Sequence, residues 1–407
     1  AIHASTSSCF DKLSRTAYVN RIAASLALFL KPVSMLIAMM QAMPDQRSRS
    51  HSPTVGDVAR RARVSPATVS RVLNRYPHVR PQVRARVEQA IQALGYRPDQ
   101  VARSLARRET QTLGLVVADI TNPFYAETAR AIVETVRARG YNVILCNTDN
   151  QPRLQEEYIE VLRQRRVDGI IFGSVFLDDP VVEALVTAGY PCLMYNRRLR
   201  SRRGNYIVLD NLRASRELTR HLLQLGHRRI GFVSGLRNIS TALDRMQGYR
   251  AALRAAGLSV DARLTRPGAF QAGMAQRAAQ ELLRLPARPT AIVAGNDLMA
   301  LGVIQAAGDL GLGIPDDLAV VGFDDIEIAG HRRIQLTTMA QQKAEMGRLA
   351  ALGLLEIIRE PGRYAASPLQ QVLAPALVVR RTCGALPAAD QPPDSHSSRT
   401  QEGHTRG

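Results

Sequence analysis

From Gln111 onward the chain alternates between two periodicities, and this alternation limits the fold more than any single motif does. The runs "TLGLVVAD" (112–119), "YNVILCN" (141–147), "DGIIFG" (168–173), "PCLMYN" (191–196), "RIGFVSG" (229–235), "TAIVAGN" (290–296) and "LAVVGFD" (318–324) are short and β-rich. Between most of them lie amphipathic stretches such as "FYAETARAIVETVRARG" (124–140), spaced for one apolar helical face. Strand–helix alternation produces parallel sheets with right-handed crossovers, so the expected class is α/β. The runs are too many for one small sheet. Two doubly wound parallel-sheet subdomains facing each other are expected, with a ligand cleft between them.

Residues 54–106 carry helical periods only. Thr54 followed by Asp57 has the form of a capping box, in which each side chain satisfies an amide at the helix start. Val55, Val58, Ala59 and Ala62 then form an apolar face. Ser65-Pro66 supplies an N-cap followed by the one helical position where proline costs nothing, so a second helix follows a three-residue turn. In "VSPATVSRVLN" (64–74), Val64, Val69, Val72 and Leu73 form the buried stripe. Ser65, Thr68, Ser70, Arg71 and Asn74 line the other side. An ordinary surface helix would use Glu, Lys and Gln, the better helix formers. A third helix runs from Pro81 with Val83, Val87, Ile91 and Leu94 as its stripe and Gly95 as its stop. Arg80 stands where a capping Ser or Thr is usual, which weakens its start.

Two short helices joined by a tight turn make a helix-turn-helix, an all-α head whose second helix enters the DNA major groove. Short polar side chains and one Arg can approach base edges there, whereas long acidic ones would repel phosphate. Residues 51–110 hold 12 Arg against 4 Asp and Glu, and the 407-residue chain carries a formal charge of +19, as a polyanionic partner requires. The duller alternative is a helical hairpin with a solvated basic face. Cys9, Cys146, Cys192 and Cys383 are far apart and suggest neither a disulfide framework nor a metal site, which suits a reducing cytoplasm.

The ends are less informative. In the leader (1–53), "IAASLALFLKPVSMLIAMM" (22–40) is cut by Lys31 and Pro32 into apolar pieces too short to span a bilayer. A native start near Met43 is the expectation, with an anchor or a secretory signal as the alternatives. Residues 384–407 read as a disordered polar tail.

"TVGDVARRARVSPATVSRVLN", "VRARVEQAIQALGYRPDQVARSL" and "LGLVVADITNPFYAE", followed in order by "VDGII", "LGHRRIGFVSG", "RMQGYRAAL", "AGNDLMALG" and "VVGFDDI", resemble the LacI/GalR family of bacterial transcriptional repressors over residues 54–382. The resemblance implies a homodimer on a palindromic double-stranded operator, with a DNA-binding head (54–97) and a hinge (98–110). The core (111–383) is similar to periplasmic sugar-binding proteins. Its first subdomain is expected at about 111–209 plus 340–368 and its second at about 210–339 plus 369–383. A small effector in the cleft would control operator affinity. By the same resemblance Pro66 and Ala67 hold the base-reading positions. Neither can hydrogen-bond a base, so polar readout falls to Arg71, with Thr54, Ser65, Thr68, Ser70 and Asn74 on phosphate or orienting neighbours. Leu105 matches the hinge residue that wedges into the minor groove, with Ala102 beside it.

Carried over position by position, the effector contacts are Phe124, Asn196, Thr241, Arg245, Phe270, Asn296 and Asp324. Asn, Asp and Arg can bind hydroxyls, and Phe rings can cover an apolar sugar face or a base, so a sugar, sugar acid or nucleoside-like molecule is expected. Each has a duller alternative: Phe124 and Phe270 as core, Asn296 and Asp324 as turn or cap residues. Arg245 has no evident partner nearby in sequence. Asp210 is expected to cap a helix, and Gln341-Gln342 departs from the Gln-Pro common in the family. The adjacent pair Asp324-Asp325 invites an enzyme reading, but no nucleophile–base signature, metal spacing or phosphate loop accompanies it. An enzyme or a solute-binding protein on the same core is the alternative, and no cofactor is implied.

Overall fold

The computed structural model describes residues 53–73, 76–96 and 109–385. The leader up to residue 52, Asn74, the hinge positions Ala102 and Leu105, and the tail beyond residue 385 lie outside the described residues. The chain divides into a head unit and a core unit.

The head contains α1 (Val55–Ala62), α2 (Pro66–Leu73) and α3 (Pro81–Leu94). The capping box at Thr54 forms in both directions: Asp57 N donates to Thr54 Oγ1, and Thr54 N donates to Asp57 Oδ2. Arg63 ends α1 in the left-handed region at φ 53°, turning the chain into α2. No side chain caps α3 at Arg80, as its residue type predicts. At the other end Gly95 takes φ 60°, and Tyr96 N donates back to Ile91 O, closing the last turn. Val58, Ala59, Ala62, Val69, Val72, Val87, Ala90 and Tyr96 form one small core, which fixes the three helices against each other.

The core's first sheet contains β1 (Thr112–Val117), β2 (Asn142–Asn147), β3 (Gly169–Phe172), β4 (Cys192–Tyr195), β5 (Asn205–Leu209) and β11 (Gln370–Leu373) in the order β11-β5-β4-β3-β1-β2. The second contains β6 (Ile230–Ser234), β7 (Thr265–Pro267), β8 (Ala291–Ala294), β9 (Ala319–Asp324), β10 (Thr337–Ala340) and β12 (Ala376–Val378) in the order β12-β10-β9-β8-β6-β7. Every pairing is parallel except β10 with β12. Helices cover both faces, so the central strands are apolar along their whole length rather than alternating: β3, β4, β8 and β9 are buried at every position.

One boundary differs from expectation. The resemblance puts residues 369–383 in the second subdomain, but 370–373 form β11, which pairs in parallel with β5 at the edge of the first sheet. The chain crosses to the second sheet only after Leu373. The exposed Val372 and the polar "QQ" of β11 show why this edge strand leaves no hydrophobic signal. The helices of the core are α4 (Pro123–Arg137), α5 (Pro152–Gln164), α6 (Pro180–Thr187), α7 (Asn211–Gln224), α8 (Ser240–Ala255), α9 (Ala272–Leu283), α10 (Asp297–Asp309), α11 (Lys343–Arg359) and the short α12 (Pro361–Ala366); α4, α7, α8, α10 and α11 bear on function. Asp210 caps α7 by accepting from Arg213 N at 3.0 Å, as its position predicts. No described helix is long and apolar enough to cross a membrane.

Candidate functional site

The C-terminal ends of strands from both sheets meet around one cavity of about 200 Å³, at the location where doubly wound sheets bind ligands. All seven cleft candidates line it. Phe124 begins α4, Asn196 follows β4, and Thr241 and Arg245 lie on α8. Phe270 follows β7, Asn296 precedes α10, and Asp324 ends β9.

Several of the duller alternatives hold alongside that placement. Phe124 is fully buried and meets Tyr125 edge-on with ring centroids 5.1 Å apart, so it is core and cavity wall together. Asn296 caps α10, its Oδ1 accepting from Met299 N at 2.9 Å. Phe270 lies against Gly235, where a Cβ would come within 2.1 Å of the ring; only glycine leaves room for it.

Arg245 departs from expectation, because it is buried and well partnered. Its Nε donates to Asn211 Oδ1 at 2.8 Å and its Nη1 to Gly295 O at 2.5 Å. Its Nη2 is 3.8 Å from Asp324 Oδ1, and its guanidinium stacks 3.5 Å from the centre of the Phe323 ring. These partners come from α7, β9 and the residue before Asn296, distant in sequence and therefore invisible in it. Asp324 also accepts from Gln341 Nε2 at 2.6 Å. Behind it Asp297, which nothing in the sequence singled out, is fully buried and accepts from Thr338 Oγ1 at 2.6 Å and Ile326 N at 2.9 Å. Burial pushes the Asp324 carboxyl above the usual carboxylate range, against the pull of Arg245. Burial, and then the charge of Asp324, push Asp297 up as well.

The cavity also gathers backbone strain. Of the twelve described non-glycine residues with positive φ, six line it: Asp149, Asn150, Asn196, Ala269, Phe270 and Asp324. Such conformations cost free energy and concentrate at binding sites. Unpaired polar atoms gather there too. Among described residues, the buried side-chain atoms without a hydrogen-bond partner are Asn196 Oδ1, Arg197 Nε and Nη1, Gln341 Oε1 and Ser215 Oγ; all but the last belong to cavity-lining residues. Arg197, Asn150, Tyr125 and Gln341 were missed as contacts from the sequence. Arg197 adjoins Asn196 in "YNRR", and that adjacency was the available signal.

In the head, Pro66, Ala67, Ser70 and Arg71 are exposed on α2, while Val69 and Val72 face the small core. Ser65 Oγ and Thr68 Oγ1 are 2.9 Å apart, and Thr68 N donates to Ser65 Oγ at 3.2 Å, so this pair shapes the helix start. Thr54 is exposed but committed to the capping box. The face of α2 thus presents small groups and one long cation.

Residues 110–374 match the family model for periplasmic binding proteins and the sugar binding domain of the LacI family, and residues 54–99 match that for bacterial regulatory proteins of the lacI family. The ribose operon repressor of Escherichia coli (strain K12) is 37% identical over 309 residues, covering 76% of this chain and 94% of that protein. Catabolite control protein A of Priestia megaterium is 38% identical over 298 residues, covering 73% and 90%. Among solved structures, the lac repressor dimer bound to operator and the anti-inducer ONPF superposes with a TM-score of 0.73 at 28% identity, covering 82% of this chain and 99% of that one. The chain belongs to the LacI family of bacterial transcriptional repressors, with a helix-turn-helix DNA-binding head and an effector-binding core of the periplasmic-binding-protein type.

Proposed function

We propose that this protein is a cytoplasmic, homodimeric, non-enzymatic repressor whose operator affinity is set by a sugar or sugar-derived metabolite held in the cavity between the two sheets. The exposed face of α2 supports groove reading by Pro66, Ala67 and Arg71, with Arg71 making the polar base contact. Ser65, Thr68 and Ser70 act at phosphate or orient their neighbours. Phe124, Asn196, Thr241, Arg245, Phe270, Asn296 and Asp324 form the effector wall, and Arg245 organises that wall more than it reaches out of it.

The observation that carries this reading is the coincidence, at one cavity, of strained backbone and buried polar atoms that the protein leaves unpaired. Relatives agree with it in kind. One structural neighbour is a regulator in complex with cellobiose, at 32% identity and a TM-score of 0.62. The test is operator binding by the full chain, on sites selected from random duplexes, with and without a carbohydrate panel. A sugar that stabilises the protein and shifts operator affinity is expected. A chain that selects no sequence, or turns over a sugar, would overturn the reading in favour of the solute-binding or enzyme alternative.

A further inference from the structure

Arg197 is 2% exposed and forms part of the cavity wall. Its Nη2 donates to the neutral Asn150 Oδ1 at 2.8 Å. Nε and Nη1, which carry three N–H donors between them, are buried and meet no protein acceptor. The Tyr125 ring, its centre 5.9 Å from Cζ, lies within cation–π reach but supplies no anion and no acceptor for Nε or Nη1. The other cavity cation and the adjacent Arg are treated differently. Arg198 is held by Asp244 at 3.0 Å and Arg245 by Asp324 at 3.8 Å, whereas among the described residues Arg197 has no carboxylate in ion-pair reach.

A buried guanidinium without an anion is costly, and such a group persists where a ligand completes it. The carboxylates around the cavity do not need that ligand. Asp149 is exposed and accepts from Asn147 Nδ2 at 2.6 Å, and Asp119 takes the amide and hydroxyl of Thr121. Asp324 is engaged by Gln341 and Arg245. Of the charged side chains lining the cavity, Arg197 is the one with buried donors left over. Beside it Asn196 Oδ1 and Gln341 Oε1 are acceptors without donors, a pattern that suits hydroxyl groups. A cavity of about 200 Å³ is smaller than those that hold drug-sized ligands, which favours a molecule of monosaccharide size.

We propose that the cavity takes an anionic, hydroxyl-bearing small molecule, a sugar acid or a sugar phosphate, whose charged oxygens pair with Arg197 while Asn196 and Gln341 accept its hydroxyls. This rests on the reading of the cavity as the effector site and narrows the effector to an anion.

Two measurements on the full chain test it. The first needs no ligand: Arg197→Met and Arg197→Gln are expected to raise the thermal midpoint, because each removes an unpaired buried charge. A purely structural arginine would give a lower midpoint in both variants, which would overturn the proposal. The second is calorimetric titration with matched probes: D-glucose, D-gluconate and D-glucose 6-phosphate, then D-ribose, D-ribonate and D-ribose 5-phosphate. At least one anion is expected to bind roughly ten- to a hundredfold tighter than its neutral parent, an advantage lost in Arg197→Gln. The carboxylate and phosphate arms identify which anion is used. Neutral parents binding as tightly as their anions, or an advantage that survives the substitution, would overturn the anionic subsite alone. Silence of all six probes would overturn the anionic subsite together with the sugar class of the underlying reading.

Discussion

The exposed face of α2, proposed to read DNA, and the wall of the cavity do opposite things with polar groups. On α2 the face is exposed, the side chains are short, and the hydroxyls of Ser65 and Thr68 are tied to one another. Stability there comes from a small aliphatic core beneath, and the reading surface costs the fold almost nothing. In the cavity the polar groups are buried, several backbone positions are strained, and two nitrogens of one guanidinium and two amide oxygens lack partners. A polyanion is drawn in by long-range attraction to the basic head, so its reader can keep its charges solvated until contact. A small solute must be recognised by groups already taken out of water, and those groups load the fold before the solute arrives. The two surfaces should therefore respond differently to substitution: the cavity in stability, α2 in recognition.

The largest effect is expected at Arg245. Arg245→Ala removes the cation from a buried cluster and leaves Asp324, Asn211 Oδ1 and Gly295 O without its donors. A loss of about 3–5 kcal/mol in denaturant unfolding follows, and the response to effector goes with it. A variant as stable as the parent would break the contrast between the two surfaces. The same cluster sets a pH dependence. Asp297 and Asp324 both titrate higher in the folded chain than in the unfolded one, so the folded state binds more protons between them. This contribution is fully present below the unfolded carboxylate value, about pH 4, and is lost as pH rises through the raised values, the reverse of an ordinary ion-paired aspartate. Asp297→Asn should flatten that part of a stability–pH curve; an unchanged slope would place its origin elsewhere.

Arg71 sharpens the other side of the contrast. Arg71→Ala should cost about 1–3 kcal/mol on a selected operator and relax preference at one base pair. Unfolding stability should stay within about 0.5 kcal/mol, as expected for an exposed position. Anisotropy titrations against single-base variants check it, and an unaltered preference profile removes Arg71 from base reading.

The same contrast governs what was legible in the sequence. The head could be read almost whole, because caps, turn and stripe are local: Thr54 to Asp57, Ser65-Pro66, Gly95. Seven strands stand out as apolar runs; six of them are covered on both faces, whereas β2, at the edge of its sheet, exposes Leu145. β5, β7, β10, β11 and β12 are not among them; of these "TRP", "QQVL" and "ALV" are short edge strands that no hydrophobic pattern marks. In the cavity, resemblance found seven wall residues, but not that Arg245 is occupied, that Asp297 stands behind Asp324, or that Arg197 has buried donors and no carboxylate partner among the described residues. Those facts depend on which loops converge and on positive φ at residues such as Asn150 and Asn196, and no local spacing encodes either.

The smallest effect is expected at Thr54, where the two functions of one side chain can be separated. Its hydroxyl accepts from Asp57 N at 3.3 Å and lies 2.7 Å from Asp57 Oδ2, while its own amide donates to that carboxylate at 2.9 Å. Thr54→Ala removes both bonds of the hydroxyl, the one accepted from Asp57 N and the one donated to Asp57 Oδ2, and leaves the bond from the Thr54 amide to the Asp57 carboxylate, for a cost of about 1 kcal/mol. Because α1 packs through Val58, Ala59 and Ala62 onto α2 and α3, the loss should loosen the head and leave the core untouched. Amide exchange in the full chain should therefore rise over residues 55–62 and remain unchanged over 112–117. Operator affinity should fall by less than about tenfold, because a hydroxyl already holding the cap has little left to give a phosphate. Thr54→Ser keeps the cap and should restore both readouts. A larger loss of operator affinity in Thr54→Ala, without faster exchange in α1, would mean that Thr54 contacts DNA directly and that the cap is secondary.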